Sequence, residues 1–161
     1  SDGAGYAFAR ALGHTIVEPV PALVPLVLDA ARSLGHGEVS GVSHEAEFTV
    51  WLDGRVAGRV AGPLLWTHVG LSGPAALDVS RHYTRAVADG HDVRLTLSFC
   101  VGQPFDAVDA RLLASVAGRP RASIGALVTN LLPASVAGAL LRWCRLDPAQ
   151  VASDLSRDDR R

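Results

Sequence analysis

A chain of 161 residues, 48% hydrophobic and 19% charged, has the make-up of one folded unit or two small lobes sharing a core, and this excludes a disordered tail. Its 15 basic and 16 acidic residues leave a formal net charge of −1, without the positive surplus of a dedicated nucleic-acid or anionic-membrane binder. Two cysteines exclude a disulfide framework and a cysteine-rich zinc module, and no apolar run approaches the roughly 20 residues that span a bilayer. With no secretory signal pattern at the start, a cytoplasmic location is expected. The chain has no methionine, and all its basic residues are arginine. The abundance of Arg, Ala, Gly and Val fits a high-GC bacterium, and the abrupt glycine-rich opening is expected of a piece of a longer protein.

In chain order, residues 1–13 read as a turn and a short helix. Ser1 or Asp2 can cap it, Tyr6, Phe8, Ala9 and Leu12 give it an apolar side, and Gly13 stops it. Residues 15–28 read as extended chain with two short apolar runs, Ile16-Val17 and Ala22 to Leu28. Pro25 lacks an N–H and confines the second run to a sheet edge or a bulge. The clearest strands come next. Ala46, Phe48, Val50 and Leu52 alternate with polar neighbours, Asp53-Gly54 signals a tight turn, and Val56, Gly58 and Val60 return, which predicts an antiparallel hairpin with one face on a core. Residues 93–101 repeat the alternation.

A helix over about 74–88 is expected between these strands. Ser72 stands at its N-cap, Pro74 lies in its first turn, and Ala76, Val79, Tyr83 and Val87 line one side. After Gly102 the periodicity turns helical. Residues 105–117, 124–132 and 134–145 read as three helices, the last presenting Val136, Leu140, Leu141 and Cys144, and Pro148 starts a short fourth. The expected class is α+β: a helix at 1–13, a β-barrel-like antiparallel lobe over 14–102, and a small helical bundle lobe over 103–161 with a frayed end.

Several groups are candidates for chemistry. Gly3-x-Gly5 before a helix either presents backbone N–H groups to an anion or simply starts the helix; the full dinucleotide fingerprint is absent. The stretch from Leu64 to Ala76 is the most unusual. It runs from a strand through Gly70, Ser72 and Gly73 into a helix start, where backbone donors suit a phosphate, carboxylate or carbonyl. Thr67 and His68 add side-chain donors, and an imidazole can exchange protons near neutral pH. A capped turn without a ligand accounts for the same residues. Six histidines show no i, i+4 helical pair, and no C-x-x-C occurs, so no metal site is expected. Glu45 and Glu47 fit an exposed strand face, Arg119 and Arg121 a solvated loop, and no sequence neighbour activates Cys100 or Cys144.

Three blocks resemble the BaiN/YhiN-like bacterial flavoproteins. They are Ser1-Asp2-Gly3-Ala4-Gly5-Tyr6 with Leu12-Gly13-His14 after it, Pro21-Ala22-Leu23-Val24-Pro25-Leu26, and Leu65-Trp66-Thr67-His68-Val69-Gly70-Leu71-Ser72-Gly73-Pro74-Ala75. Leu131-Leu132-Pro133 before a helix is a weaker fourth. The resemblance implies a central insert of an FAD-dependent oxidoreductase, barrel-like with helices attached. The flavin and a nicotinamide cofactor, NAD(P)H, would be held by sequence on either side. It implies as partners the flavin domain of the same polypeptide and a small-molecule substrate, and no membrane. On this reading His68 and Thr67 are the candidate catalytic residues, and Gly3, Gly5, Gly70, Ser72 and Gly73 the candidate cofactor contacts. Pro63 departs from the family, which often has an acid there. The isolated piece is expected to be inactive, to bind no cofactor, and to be able to dimerise through surface that normally packs on the flavin domain. A different class remains open: a stand-alone protein- or RNA-interaction module, against which the net charge and the 6% aromatic content weigh.

Overall fold

The computed structural model describes residues 2–159. Five strands, β1 (Leu26–Val27), β2 (Ser43–Leu52), β3 (Arg55–Thr67), β4 (Gly70–Ser72) and β5 (Val93–Ser98), form one antiparallel sheet in the order β1, β4, β3, β2, β5. Five α-helices accompany it: α1 (Ala4–Ala11), α2 (Gly73–Ala88), α3 (Phe105–Gly118), α4 (Ile124–Val128) and α5 (Ala134–Trp143). The sheet is a half-barrel, and its two edge strands never pair with each other. The α+β class read from the sequence is the one observed.

The hairpin turns where expected. Asp53 and Gly54 both take left-handed φ, 50° and 78°, the conformation a two-residue hairpin turn needs to match strand twist. β3 runs on to Thr67, well past Val60, because even-numbered residues continue to point inward: Phe48 faces Val60, Ala46 faces Gly62 and His44 faces Leu64. In the run from Ala22 to Leu28 only Leu26 and Val27 join the sheet, on β4, with Pro25 just outside. Ile16-Val17 forms no strand, and nothing pairs with it. β5 stops at Ser98, whose hydroxyl accepts from the Cys100 N–H at 3.1 Å and closes a small turn. Asp2, not Gly3, supplies the side-chain oxygen at the start of α1, accepting from the Ala4 N–H at 3.1 Å; the alternative cap, Ser1, lies outside the described residues.

Phe48, Val50, Leu64, Trp66 and Leu71 line the concave face and are buried with Ala75, Ala76 and Val79 of α2. The expected face of α2 is rotated. Ser80 and Ala86 are buried, whereas Tyr83 and Val87 are 37% and 50% exposed. The helix beds down on its alanines: Ala75 and Ala76 are buried against the sheet, and a Cβ on Gly62 would lie in ordinary contact, 3.8 Å from that of Ala75. Within this core the Trp66 indole N–H donates to His44 Nε2 at 2.9 Å. Because indole is only a donor, His44 carries its proton on Nδ1, which meets the Glu45 carbonyl at 2.9 Å.

The second half packs through α5. Val136, Ala137 and Ala139 enter the main core, while Leu141 joins Ile124, Leu127, Ala152 and Leu155 in a second small cluster. Cys144, expected on the apolar side, is exposed at the C-cap. α4 ends at Val128, earlier than expected, and α3 buries no residue fully. Pro148 starts no helix. Its carbonyl accepts from the Gly125 N–H at 3.0 Å, and that of Gln150 from the Ile124 N–H at 2.9 Å. These carbonyls satisfy donors that the start of α4 would otherwise leave unpaired.

At the far end of the hairpin, the Asp53 carboxylate accepts from His91 Nδ1 at 2.8 Å and from the Asp92 N–H at 3.0 Å. The His91 hydrogen bond, then the backbone one, holds its pKa below the ordinary 3.8. A carboxyl lowered in this way favours the folded state above its unfolded pKa, and that advantage disappears as pH falls through the folded value. His91→Ala is expected to move the Asp53 titration up towards 3.8, as followed by carbon-detected NMR. An unmoved titration would remove His91 as the cause.

Candidate functional site

The stretch singled out in the sequence is a second, tighter hairpin. Thr67 pairs with Gly70, leaving His68 and Val69 as a two-residue tip. The Thr67 hydroxyl closes it, donating to the Gly70 carbonyl at 3.0 Å and accepting from the Gly70 N–H at 3.2 Å. His68 and Val69 are exposed, and His68 makes no hydrogen bond to protein among the described residues. The tip is therefore a rigid mount holding a free imidazole in solvent.

The glycines here serve the fold's own close approaches. A Cβ on Gly70 would sit 2.1 Å from the Leu26 carbonyl oxygen, so β1 can lie against β4 only because that position is bare. On Gly73, at φ 86°, a Cβ would sit 2.8 Å from the Leu65 nitrogen and 3.0 Å from the Pro63 oxygen. Ser72 opposes Leu65 in the β3–β4 ladder, and its side chain does not cap α2. Ala75 and Ala76, in the first turn of α2, are 2% and 0% exposed, so this turn is packed into the core. Gly3, at φ 74°, begins α1, and a Cβ on Gly5 would meet open space. That helix buries none of its residues, and neither glycine has an atom of the Thr67–Gly73 element within 4 Å of its Cβ position.

The other candidates are engaged in structure. Glu47 pairs with Arg59 at 3.7 Å and accepts from the Gly102 N–H at 3.2 Å. His36 is buried with its Nδ1 2.6 Å from the Ser33 hydroxyl. Among the described residues no three His, Cys, Asp or Glu converge as a metal site would require. On the convex face Arg94 stacks over Trp51 at 4.9 Å, and the Trp51 indole N–H donates to Thr96 at 2.9 Å. This aromatic is thus already covered on one side.

Two features escaped the sequence reading. The first is a strap. Residues 18–24 cross α2 and are pinned there by three side chains: Arg85 donates to the Glu18 carbonyl, Thr84 to the Pro21 carbonyl, and the buried Ser80 hydroxyl accepts from the Val24 N–H at 3.1 Å. A serine inside a helical pattern gives no hint of a partner 56 residues away. The second is a cleft of about 720 Å³ between β1 and β5, floored by Phe48, Trp66 and Leu71. It exists because the barrel does not close, which alternation within single strands cannot reveal.

This half-barrel followed by helices fits a known domain type. Residues 20–161 match the family model described as HI0933-like protein barrel and H2TH domain. The chain belongs to this family. It is also 27% identical over 155 residues to the 3-dehydro-bile acid delta(4,6)-reductase of Clostridium scindens, an alignment that covers 96% of this chain and 37% of that relative. The chain therefore spans little more than a third of the length of the curated relative it matches. Both findings agree with the BaiN/YhiN-like resemblance carried by the three sequence blocks.

The strap is testable on its own. Ser80→Ala leaves the Val24 N–H without its partner and removes the bond to the Leu77 carbonyl. The expected loss is about 1–3 kcal/mol in denaturant unfolding, with faster amide exchange at Val24. Protection unchanged at Val24 would mean the strap is held by its other two anchors alone.

Proposed function

We propose that this chain is the substrate-side domain of a flavin-dependent oxidoreductase, set over a flavin that the rest of the polypeptide holds. The observation that carries this reading is α1. Tyr6, Phe8 and Leu12 are 46%, 71% and 79% exposed, and the helix has no buried residue. An amphipathic helix that leaves its apolar side uncovered needs another surface to bury it. α1 also precedes the matched domain, which begins at residue 20, and the reductase relative has ample further chain to supply that surface.

The residues described here do not form a flavin cradle. The space beside Gly70 and Gly73 is filled by the chain's own backbone. FAD, and with it NAD(P)H, is therefore assigned to the remaining sequence, and no redox step is assigned to this chain. Its own contribution is shape and one polar contact. The barrel walls exclude water from the covered site, and the Thr67-locked tip places His68 to hydrogen-bond to the bound partner. The partners are the flavin domain of the same polypeptide and a small-molecule substrate; in the isolated chain a second copy can cover α1. No helix among the described residues is long and apolar enough to cross a membrane, and the cytoplasm is the proposed location.

The test is made in the full-length protein. It is expected to purify with bound flavin. His68→Ala is expected to slow flavin reduction or reoxidation about tenfold or more, the loss of one positioned contact, at unchanged flavin content. Thr67→Val, which frees the tip, is expected to have a smaller effect in the same direction. A protein without flavin would overturn the reading; normal rates in both variants would remove the tip from the site.

A further inference from the structure

We infer that the outer face of residues 20–28 is a docking surface for another part of the same polypeptide, with Leu23 as its anchor. This inference rests on the reading of the chain as a substrate-side domain and names the face on which the flavin-holding part sits. Residues 20–28 carry no polar or charged side chain. An extended run that is apolar throughout belongs to a strand covered on both faces. Here one face is covered: Leu26 and Leu28 pack on the main core, and Val24 is half-buried. The alternate residues Leu23, Pro25 and Val27 are exposed, Leu23 to 65% and Val27 to 79%. Depletion of charge marks the centre of a protein interface, and among the described residues this side stays uncovered.

Backbone geometry singles out Leu23. Among the described residues three other than glycine take a positive φ: Leu23, Asp53 and Arg145. Asp53 does so in its hairpin turn, and Arg145 just past the end of α5, where a left-handed residue is common. Leu23, at 55°, lies in neither setting and lacks the short polar side chain that eases this conformation. It is strained, and it buries little of itself in return. It is also held in place, because the strap is pinned on both sides, by Thr84 at the Pro21 carbonyl and by Ser80 at the Val24 N–H. The result is a rigidly projected knob, which a concave protein surface covers and a small molecule does not. The apolar face continues towards the His68 tip. Val27 opposes Gly70 in the ladder, the Leu28 N–H donates to the Val69 carbonyl at 3.1 Å, and Val69 is 43% exposed. Position decides the occupant. Helix α1, also uncovered, lies just before this segment in sequence, and the alignment covers only 37% of the reductase relative. A surface tethered in the same polypeptide is present at high effective concentration, an advantage that a second copy does not have.

The test is made in the full-length protein by maleimide labelling, with each thiol read by peptide mass spectrometry. Leu23→Cys and Val27→Cys are expected to label about a hundredfold more slowly in the native protein than in urea, as sites that react only on local opening do. Leu23→Asn accepts the left-handed φ but removes the knob. It is expected to speed labelling at Val27→Cys about tenfold, the loss of protection that follows from unpacking one leucine. Native labelling near the urea rate at either position would overturn the inference. So would slow labelling that speeds up when the protein is diluted, because a second copy would then be the cover, and so would Leu23→Asn without effect. Fast labelling in a flavin-loaded protein would leave the flavin reading standing. Shielded thiols in a protein without flavin would overturn that reading and leave this surface covered, so the two fail separately.

Discussion

The seating of α2 in the hollow of the sheet is the contact on which the remaining architecture depends. Ala75, Ala76 and Val79 press against β2 and β3 at near-zero exposure, and the small side chains of the two alanines allow the helix to lie that low. Everything around it follows. The helix provides the anchor points for the strap, its first turn closes over the end of β3, and its displaced Tyr83 lines the cleft between β1 and β5. By filling the concave side, α2 also removes much of the drive to close the barrel, since the sheet's apolar face is covered without β1 meeting β5.

Much of this was legible in the residues, for local reasons. The β2–β3 hairpin could be read because a two-residue turn and strict alternation both depend on neighbours in sequence. The start of α2 was legible from Ser72 and Pro74 for the same reason. What could not be read depends on distant partners. The facing of α2 turned on its packing against β2 and β3. The run at Ile16-Val17 has strand-like residues yet no pairing partner, because α2 holds the following segment away from the sheet. Pro148 looked like a helix start, but its carbonyl was needed by the first turn of α4.

The glycine-rich motif shows how one signal supports two readings. Gly70 and Gly73 attract attention because glycines before a helix commonly make room for a ligand's phosphate. Here the room is taken by the chain itself, by Leu26 in one case and by Pro63 and Leu65 in the other. The part of the motif free to act outward is the residue with no structural duty, His68. Within the same stretch the glycines serve the fold, and the proposed contact falls to the histidine.

Helix α5 has a mechanical consequence. One face belongs to the core beneath the sheet and the other to the cluster with α4 and the C-terminal turn, while Arg142 reaches Glu38 at 2.6 Å from its last turn. A single ten-residue rod is thus a party wall between the strand half and the helical half. Tilting one half against the other would tear both apolar linings at once. The strand half and the helical half are consequently expected to move as one piece, carried by α5.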